Sequence, residues 1–411
     1  MEPSSRMRPV FPRAWLNARF PIRSGNNPNV RVLQPPRLDW AWMLPPGMLE
    51  KLPAESLQHD STQTTYQLWL PPNFVAQQKL PHALILWISS KPAPDELLVW
   101  EPICRKYNAI FATAQFGGDE LPPLRRLQQT LDVLDDVRRR FFVDTDRVYI
   151  GGHSEGARTA CNVAFAYPEF CGGVLAVGAA DSLRIEPYLR DRVRERLSVA
   201  LLTGTLDPAR NEIELWRSPA LQGHEVRQRV WTVPFLGPVM PPPVVLEEAF
   251  LWLEAAQANR RALGMRFPSM RMPEGVVLAA DQWSLSLVDE ARKRLADPAK
   301  RESGILLLLG VKQRWPGTAA AGEAIRLLAE QDRKEPTSEQ LFRRSQQRFA
   351  YREAECLDQL LATGLGPREQ ANRPIFLQHA ILLWEMVLQN GPDTREGQRA
   401  QRRLAQLRRG G

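Results

Sequence analysis

Histidine is scarce in this chain, with five in 411 residues, so chemistry that needs an imidazole has few places to find one. Cysteine is scarcer. Cys104, Cys161, Cys171 and Cys356 follow no metal-binding spacing and no disulfide framework, which predicts buried, reduced thiols and implies neither a metal nor an organic cofactor. No apolar run approaches the roughly 20 residues of a membrane-spanning helix, and the Arg- and Pro-containing N-terminus lacks the apolar segment of a signal peptide. The default expectation is a cytoplasmic protein with no membrane contact. The net charge of +8 is uneven: residues 62–260 are nearly neutral, and the C-terminal part holds most of the excess. Arg395, Arg399, Arg402, Arg403, Arg408 and Arg409 fall at helical spacing and read as a solvated helix face. Without interleaved aromatics or a nucleic-acid-binding signature, no nucleic-acid partner is expected.

What the chain does have is Val148-Tyr149-Ile150-Gly151-Gly152-His153-Ser154-Glu155-Gly156-Ala157-Arg158, an apolar strand running through Gly-x-Ser-x-Gly into a helix. About 0.1 such matches would arise by chance in a chain this long at ordinary Gly and Ser usage, and the flanking elements lower that further. A serine on so tight a strand-to-helix turn has its hydroxyl held above the sheet edge. Gly152 and Gly156 remove side chains that would collide, and the amide of Glu155 is aimed where an oxyanion would form.

Residues 1–61 are Pro-rich and weakly periodic, which predicts a partly ordered lead-in. Strands are expected at 65–70, at the continuous apolar run 82–88 (HALILWI), and at 109–114. A helix over 124–141, with Leu127, Leu131, Leu134 and Val137 on one face, leads to a turn at Asp144-Thr145-Asp146 and the strand entering the elbow. Strands at 173–179, 199–203 and 229–233 and a helix at 244–256 complete the alternation. The fold class is therefore α/β, a mostly parallel sheet with helices on both faces over residues 62–260. Trp87, Trp100, Trp216 and Trp231 are expected in the core, with a sugar or aryl pocket as the alternative.

A linker is expected at 261–274, followed by an all-α region at 275–411. That region repeats: Ile305-Leu306-Leu307, Val311, Gln313, Pro316, Thr318, Ala324, Arg326 and Leu328 recur about 76 residues later, from Ile381-Leu382-Leu383 to Leu404. Each unit reads as a helix, a Pro-x-Thr turn with the Thr as N-cap, and a second helix. The pattern loosely resembles tetratricopeptide-like repeats, which bind other proteins or pack against a neighbour, so a protein partner could dock on 275–411.

With the Gly-His-Ser-Glu-Gly elbow and an acidic residue after a later strand, residues 65–256 resemble the α/β-hydrolases, in particular bacterial esterases of the polyhydroxybutyrate-depolymerase, feruloyl-esterase and esterase D type. The resemblance covers about half the chain. It implies hydrolysis of a small-molecule carboxylic ester, with Ser154 as nucleophile, then an acid, then a histidine. Asp207, in Thr203-Gly204-Thr205-Leu206-Asp207-Pro208 after a buried strand, takes the acid position. Asp181 is the weaker candidate, and a turn residue before Pro208 is the plain alternative for Asp207.

Two features depart from the family. Its Pro-x-x-Gly-His turn before the closing helix is here Val233-Pro234-Phe235-Leu236-Gly237-Pro238, so Pro238 stands where the histidine should be. The glycine-rich oxyanion turn is replaced by Ser89-Ser90-Lys91-Pro92, where the amide of Ser89 or Ser90 could still serve. Among the histidines, His82 and His224 are expected at the amino edge of the sheet. His153 should point away from the Ser154 hydroxyl, and His379 lies in the repeat. His59 in the lead-in is left as the possible substitute base. The expectation is an impaired esterase or, alternatively, a degenerate scaffold working through its helical repeats.

Overall fold

The structure, a computed structural model, describes residues 22–37, 40–44, 47–54, 58–72, 74, 81–272, 280–363, 365–366 and 370–408. Among these, eight strands form one sheet: β1 (Gly25–Arg31), β2 (Thr65–Leu70), β3 (His82–Ile88), β4 (Ala109–Ala114), β5 (Val143–His153), β6 (Gly173–Val177), β7 (Ser198–Gly204) and β8 (Arg227–Val233). Their order is β1-β2-β4-β3-β5-β6-β7-β8. The β1–β2 and β2–β4 pairs are antiparallel and the rest parallel, which is the α/β-hydrolase arrangement.

Helices α1 (Leu97–Tyr107), α2 (Pro123–Arg140), α3 (Glu155–Ala166), α4 (Pro187–Arg196), a short α5 (Ser218–Gly223), α6 (Pro243–Glu254) and α7 (Gln257–Arg266) connect and cover the strands. Trp100 of α1 and Phe250 of α6 pack on the sheet face made by Ile85, Trp87, Phe111, Tyr149, Leu175 and Leu202. Leu131 and Leu134 of α2, Val163 of α3 and Val193 of α4 pack on the opposite face. Strand order reverses at β3, whose neighbours are β4 and β5. The carboxyl ends of β3 and β5 therefore meet at a topological switch point, where open α/β sheets bind ligands.

The lead-in contributes more than its composition suggests. Residues 1–21 lie outside the described residues, but β1 pairs along β2 and the following stretch is tied to α2. Leu33 N–H donates to Asp136 (3.4 Å), and the Arg37 guanidinium donates to Asp135 (2.9 Å). The expected turn at Asp144-Thr145-Asp146 is instead part of β5 and fully buried. Its carboxylates are paired rather than solvated: Asp146 with Arg196 (3.0 Å) and Arg271 (2.7 Å), Asp144 with Arg261 (2.8 Å). All four tryptophans named above are buried. So are the four cysteines, none of them in a disulfide, and burial pushes the Cys161 and Cys171 thiols up to about 12.

The C-terminal helices are α8 (Ala280–Leu295), α9 (Arg301–Arg314), α10 (Ala319–Gln331), α11 (Ser338–Thr363), α12 (Arg373–Asn390) and α13 (Arg395–Leu407). The duplicated units are α9–α10 and α12–α13. In each the threonine caps the second helix: Thr318 Oγ1 accepts from Ala321 N–H (3.2 Å) and Thr394 Oγ1 from Gly397 N–H (3.0 Å). Of the C-terminal arginines, Arg399 pairs with Glu355, Arg403 with Asp358 and, just past α13, Arg408 with Glu385, while Arg409 lies outside the described residues. Among the described residues no helix is long and apolar enough to cross a membrane.

These helices share a core with the sheet layer. Trp283 and Leu287 of α8 and Ile305, Leu308 and Val311 of α9 belong to the same apolar cluster as Tyr188, Leu189 and Val193 of α4. Of the expected linker, 261–266 complete α7, Met270 and Met272 are buried, and 273–274 lie outside the described residues. Buried polar pairs cross the same boundary. Arg192 bridges Glu169 and Glu290, Arg190 reaches Ser345 and Gln346, and Arg314 meets Glu186 (3.1 Å).

Such pairing makes the junction acid-sensitive. Burial raises the Glu195 carboxyl, but hydrogen bonds from Arg294 and Lys300 outweigh it and hold the group down at about 2. Burial likewise opposes ionisation of Glu290 and Glu353, and Arg192 and Arg294 for the first, His224 and Arg217 for the second, bring both below the ordinary glutamate value. A carboxyl with a depressed folded-state pKa contributes stability above its unfolded pKa and loses it as pH falls through the folded one. Tertiary structure is therefore expected to weaken between about pH 4.5 and 2. Near-UV circular dichroism would follow the change, and a signal unchanged down to pH 2 would contradict it.

Candidate active site

The elbow is built by close approach. A side chain on Gly152 would lie 2.3 Å from the carbonyl carbon of Gly156, and one on Gly156 would lie 2.1 Å from the Ile88 carbonyl oxygen. With both absent, β5 turns into α3 within one residue. Ser154 occupies that residue at φ 55° and ψ −124°, a conformation costing an L-residue about 1–3 kcal/mol and held only where its surroundings over-determine it. Here Ser154 N–H donates to Val177 O at the end of β6 (2.9 Å), while Ser154 O accepts from Ala157 N–H (3.0 Å) to begin the helix. The Glu155 side chain is half exposed and sits between Arg126 (3.6 Å) and Arg158 (3.3 Å), a carboxylate favoured at a helix N-terminus.

Asp207 is buried in the turn after β7, as the sequence placed it. Its N–H closes the turn onto Gly204 O (3.1 Å), Oδ1 accepts from Ala209 N–H (2.9 Å), and Oδ2 faces Thr203 Oγ1 at 3.4 Å. Asp181 is instead engaged by Asn162 (2.7 Å) and by Ser182 N–H (2.8 Å). The β8–α6 turn lies directly on the Asp207 turn. Leu206 N–H donates to Leu236 O (2.9 Å) and Phe235 N–H to Thr205 Oγ1 (2.7 Å). Pro238 stands on that turn, two residues beyond Leu236.

The loop after β3 is clasped by the loop after β4, with Asp119 N–H donating to Ser90 O (3.0 Å) and Phe116 N–H to Pro92 O (2.8 Å). Ser89 is buried, its hydroxyl donating to Glu96 (2.8 Å) and accepting from Lys91 N–H (3.0 Å). Ser90 is half buried.

Of the five histidines, none among the described residues is hydrogen-bonded to Ser154. His82 meets Asn108 O (3.1 Å) at the start of β3. His224 stacks on Phe349 and faces Glu353 at 3.7 Å, and His379 packs edge-on against Trp216. His59, the substitute base suggested by the sequence, is held elsewhere. Its Nε2 is 2.6 Å from Asp132, which also accepts from Thr64 (2.7 Å). Asp132 follows Arg126, the α2 residue that reaches Glu155, by six positions, or about 9 Å along the helix.

His153 is the surprise. Its ring lies with Nδ1 3.5 Å from Ser90 Oγ, and its Nε2 edge and Asp207 both border Gly178. A side chain on Gly178 would be 3.2 Å from Asp207 Oδ2 and 3.6 Å from His153 Nε2. The sequence did carry a signal for its direction, since β5 alternation puts His153 on the face of Tyr149. It carried none for its partners, which come from two other loops.

No family model matches the chain, and no curated protein matches it in sequence. Its structure is similar to Est1E from Butyrivibrio proteoclasticus, at 13% identity and TM-score 0.37, over 47% of this chain and 94% of that one. Similarity extends to an S-formylglutathione hydrolase from Staphylococcus aureus (13%, TM-score 0.36, 46% and 92%) and to a ferulic acid esterase (15%, TM-score 0.36, 47% and 89%). Likeness at that level carries no residue roles and no activity across to this chain.

Proposed function

We propose that this chain is an esterase-like serine hydrolase of the α/β-hydrolase fold, acting on a carboxylic ester, and that its elbow serine is impaired. Ser154 is the nucleophile, Asp207 the acid, and the amides of Glu155 and of Ser89 or Ser90 the oxyanion donors. The observation that carries the impairment is Pro238, on the turn that packs over the Asp207 turn. Proline has no group that can take the serine proton. An unassisted serine hydroxyl is a poor nucleophile at neutral pH, and loss of a triad member leaves roughly 10³–10⁴-fold acceleration over water.

The test is site-resolved labelling by a fluorophosphonate. Ser154 is expected to stay unlabelled in the natural chain and to become labelled in Pro238→His, with ester turnover raised at least about tenfold. Ready labelling of Ser154 in the natural chain would overturn the impairment. A second reading, a scaffold that binds a protein partner through residues 275–411, is favoured by Ile375 and Leu382, seven residues apart and both exposed on α12. It requires Ser154 to remain unreactive in Pro238→His as well.

A further inference from the structure

We infer that His153 is the proton acceptor of a second hydroxyl–imidazole site at the same sheet edge, in which Ser90 is the nucleophile and the nearby Asp207 charge supports the imidazolium. The inference shares Asp207 with the reading above but does not need Ser154 to react.

Three placements carry it. The first is the approach of Ser90 Oγ to His153 Nδ1 at 3.5 Å, a separation typical of a nucleophile and base before substrate draws them together. The second is the position of Asp207. Gly178, at φ 67° and lacking a side chain, has Asp207 Oδ2 and the Nε2 edge of the imidazole as neighbours, 3.2 and 3.6 Å from where a side chain would begin. A carboxylate charge on that side favours the imidazolium formed when Nδ1, which is turned to Ser90, takes a proton. The third is the engagement of the other charges facing the ring. Glu96 is bound by Ser89 (2.8 Å) and Asp95 N–H (3.1 Å), Asp119 by Arg126 (3.1 Å), and Lys91 by Asp95 (2.7 Å). Asp207, held by Ala209 N–H (2.9 Å) and faced by Thr203 Oγ1 (3.4 Å), acts on His153 through space rather than through a hydrogen bond. Burial pushes the imidazole below its ordinary pKa, and Asp207, Glu96 and Asp119 restore it only in part, so the ring is neutral and able to accept a proton at pH 7.

The chemistry balances as acyl transfer. Ser90 Oγ bonds to the carbonyl carbon of an ester while its proton passes to His153 Nδ1. The carbon–oxygen bond to the alcohol then breaks, and the departing oxygen takes that proton. Water repeats the exchange on the acyl-serine, releasing the carboxylic acid and returning Ser90 to its starting state. With a fluorophosphonate the phosphorus–fluorine bond breaks instead, and fluoride leaves with the proton.

Ser90 and Ser154 lie in different tryptic peptides, so one labelling experiment reads both. The natural chain is expected to be modified at Ser90. Labelling should vanish in Ser90→Ala and fall at least 100-fold in His153→Gln. Because His153→Gln could disturb the elbow, the pH profile of the natural chain supplies a second readout. Its labelling rate should rise with pH and level off below about 6.5, the ordinary histidine value. A label at Ser154 alone, labelling of Ser90 undiminished in folded His153→Gln, a rate still climbing at pH 8, or no label on folded protein would each overturn the inference. Labelling of Ser154 in Pro238→His is scored on its own peptide, so the two readings fail separately.

Discussion

A chain ended at residue 272 is expected to lose its cooperative fold and to be recovered as aggregate. Tyr188, Leu189 and Val193 of α4 are covered by α8 and α9, and the Tyr188 ring lies against Gly310, where a side chain would be 2.3 Å away. Trp216 is buried among Ala350, Ala354, Leu357, Phe376 and Trp384. Exposing these four large side chains costs about 1.5–3 kcal/mol each, or about 6–12 kcal/mol together. Ordinary domains have about 5–15 kcal/mol in total, so the loss consumes most of it. The polar contacts fail with the apolar ones. Glu353 accepts from Trp216 Nε1 (2.9 Å) and Ser182 Oγ (3.1 Å), and through Arg217 and Glu212 the same network reaches Arg158 on the elbow helix. Expression, solubility and a thermal scan are sufficient measurements. A soluble truncation with one sharp transition would show that the sheet layer stands alone.

The second large effect is expected from one methyl group. In Gly156→Ala the new carbon would meet the Ile88 carbonyl oxygen at 2.1 Å, and that oxygen belongs to β3, which cannot rotate aside. Either α3 lifts from the sheet or the β3–β5 pairing opens. Overpacking in a well-filled interior costs about 1–3 kcal/mol, and the upper end is expected because both contacting parts are backbone. Gly322→Ala is the control. It lies in α10 with nothing within 4 Å of the added carbon, so relief of helical glycine should stabilise by about 0.5–1 kcal/mol. Denaturant midpoints for the two variants should move in opposite directions. A Gly156→Ala protein as stable as its parent would mean that the elbow is not packed as described.

The parts of the fold written in local pattern were readable. Continuous apolar runs marked β3 and β7 because a strand buried on both faces leaves no polar positions. The α2 stripe marked that helix, and the Pro-x-Thr turns marked the starts of α10 and α13. Other features were misread because local chemistry pointed the wrong way. Asp144-Thr145-Asp146 has the residues of a turn, yet three arginines from distant segments neutralise its carboxylates inside the sheet layer. The strand β1 hides in a Pro-containing, polar stretch because an edge strand needs only alternate positions buried, and Val30 is covered while its neighbours are not.

The site divides in the same way. By itself the sequence determined a serine on a glycine-flanked elbow and an acidic residue after a later strand. These follow from short-range spacing, since one turn type and one strand end are enough to place each group. Only the tertiary structure decided what His59 and His153 meet. His59 left the lead-in for Asp132 in mid-helix, while His153 turned to Ser90 and, with Asp207, borders Gly178. Those partners lie 63 and 54 positions away in the chain, and side chains so separated meet only when the order of strands brings their loops to one edge.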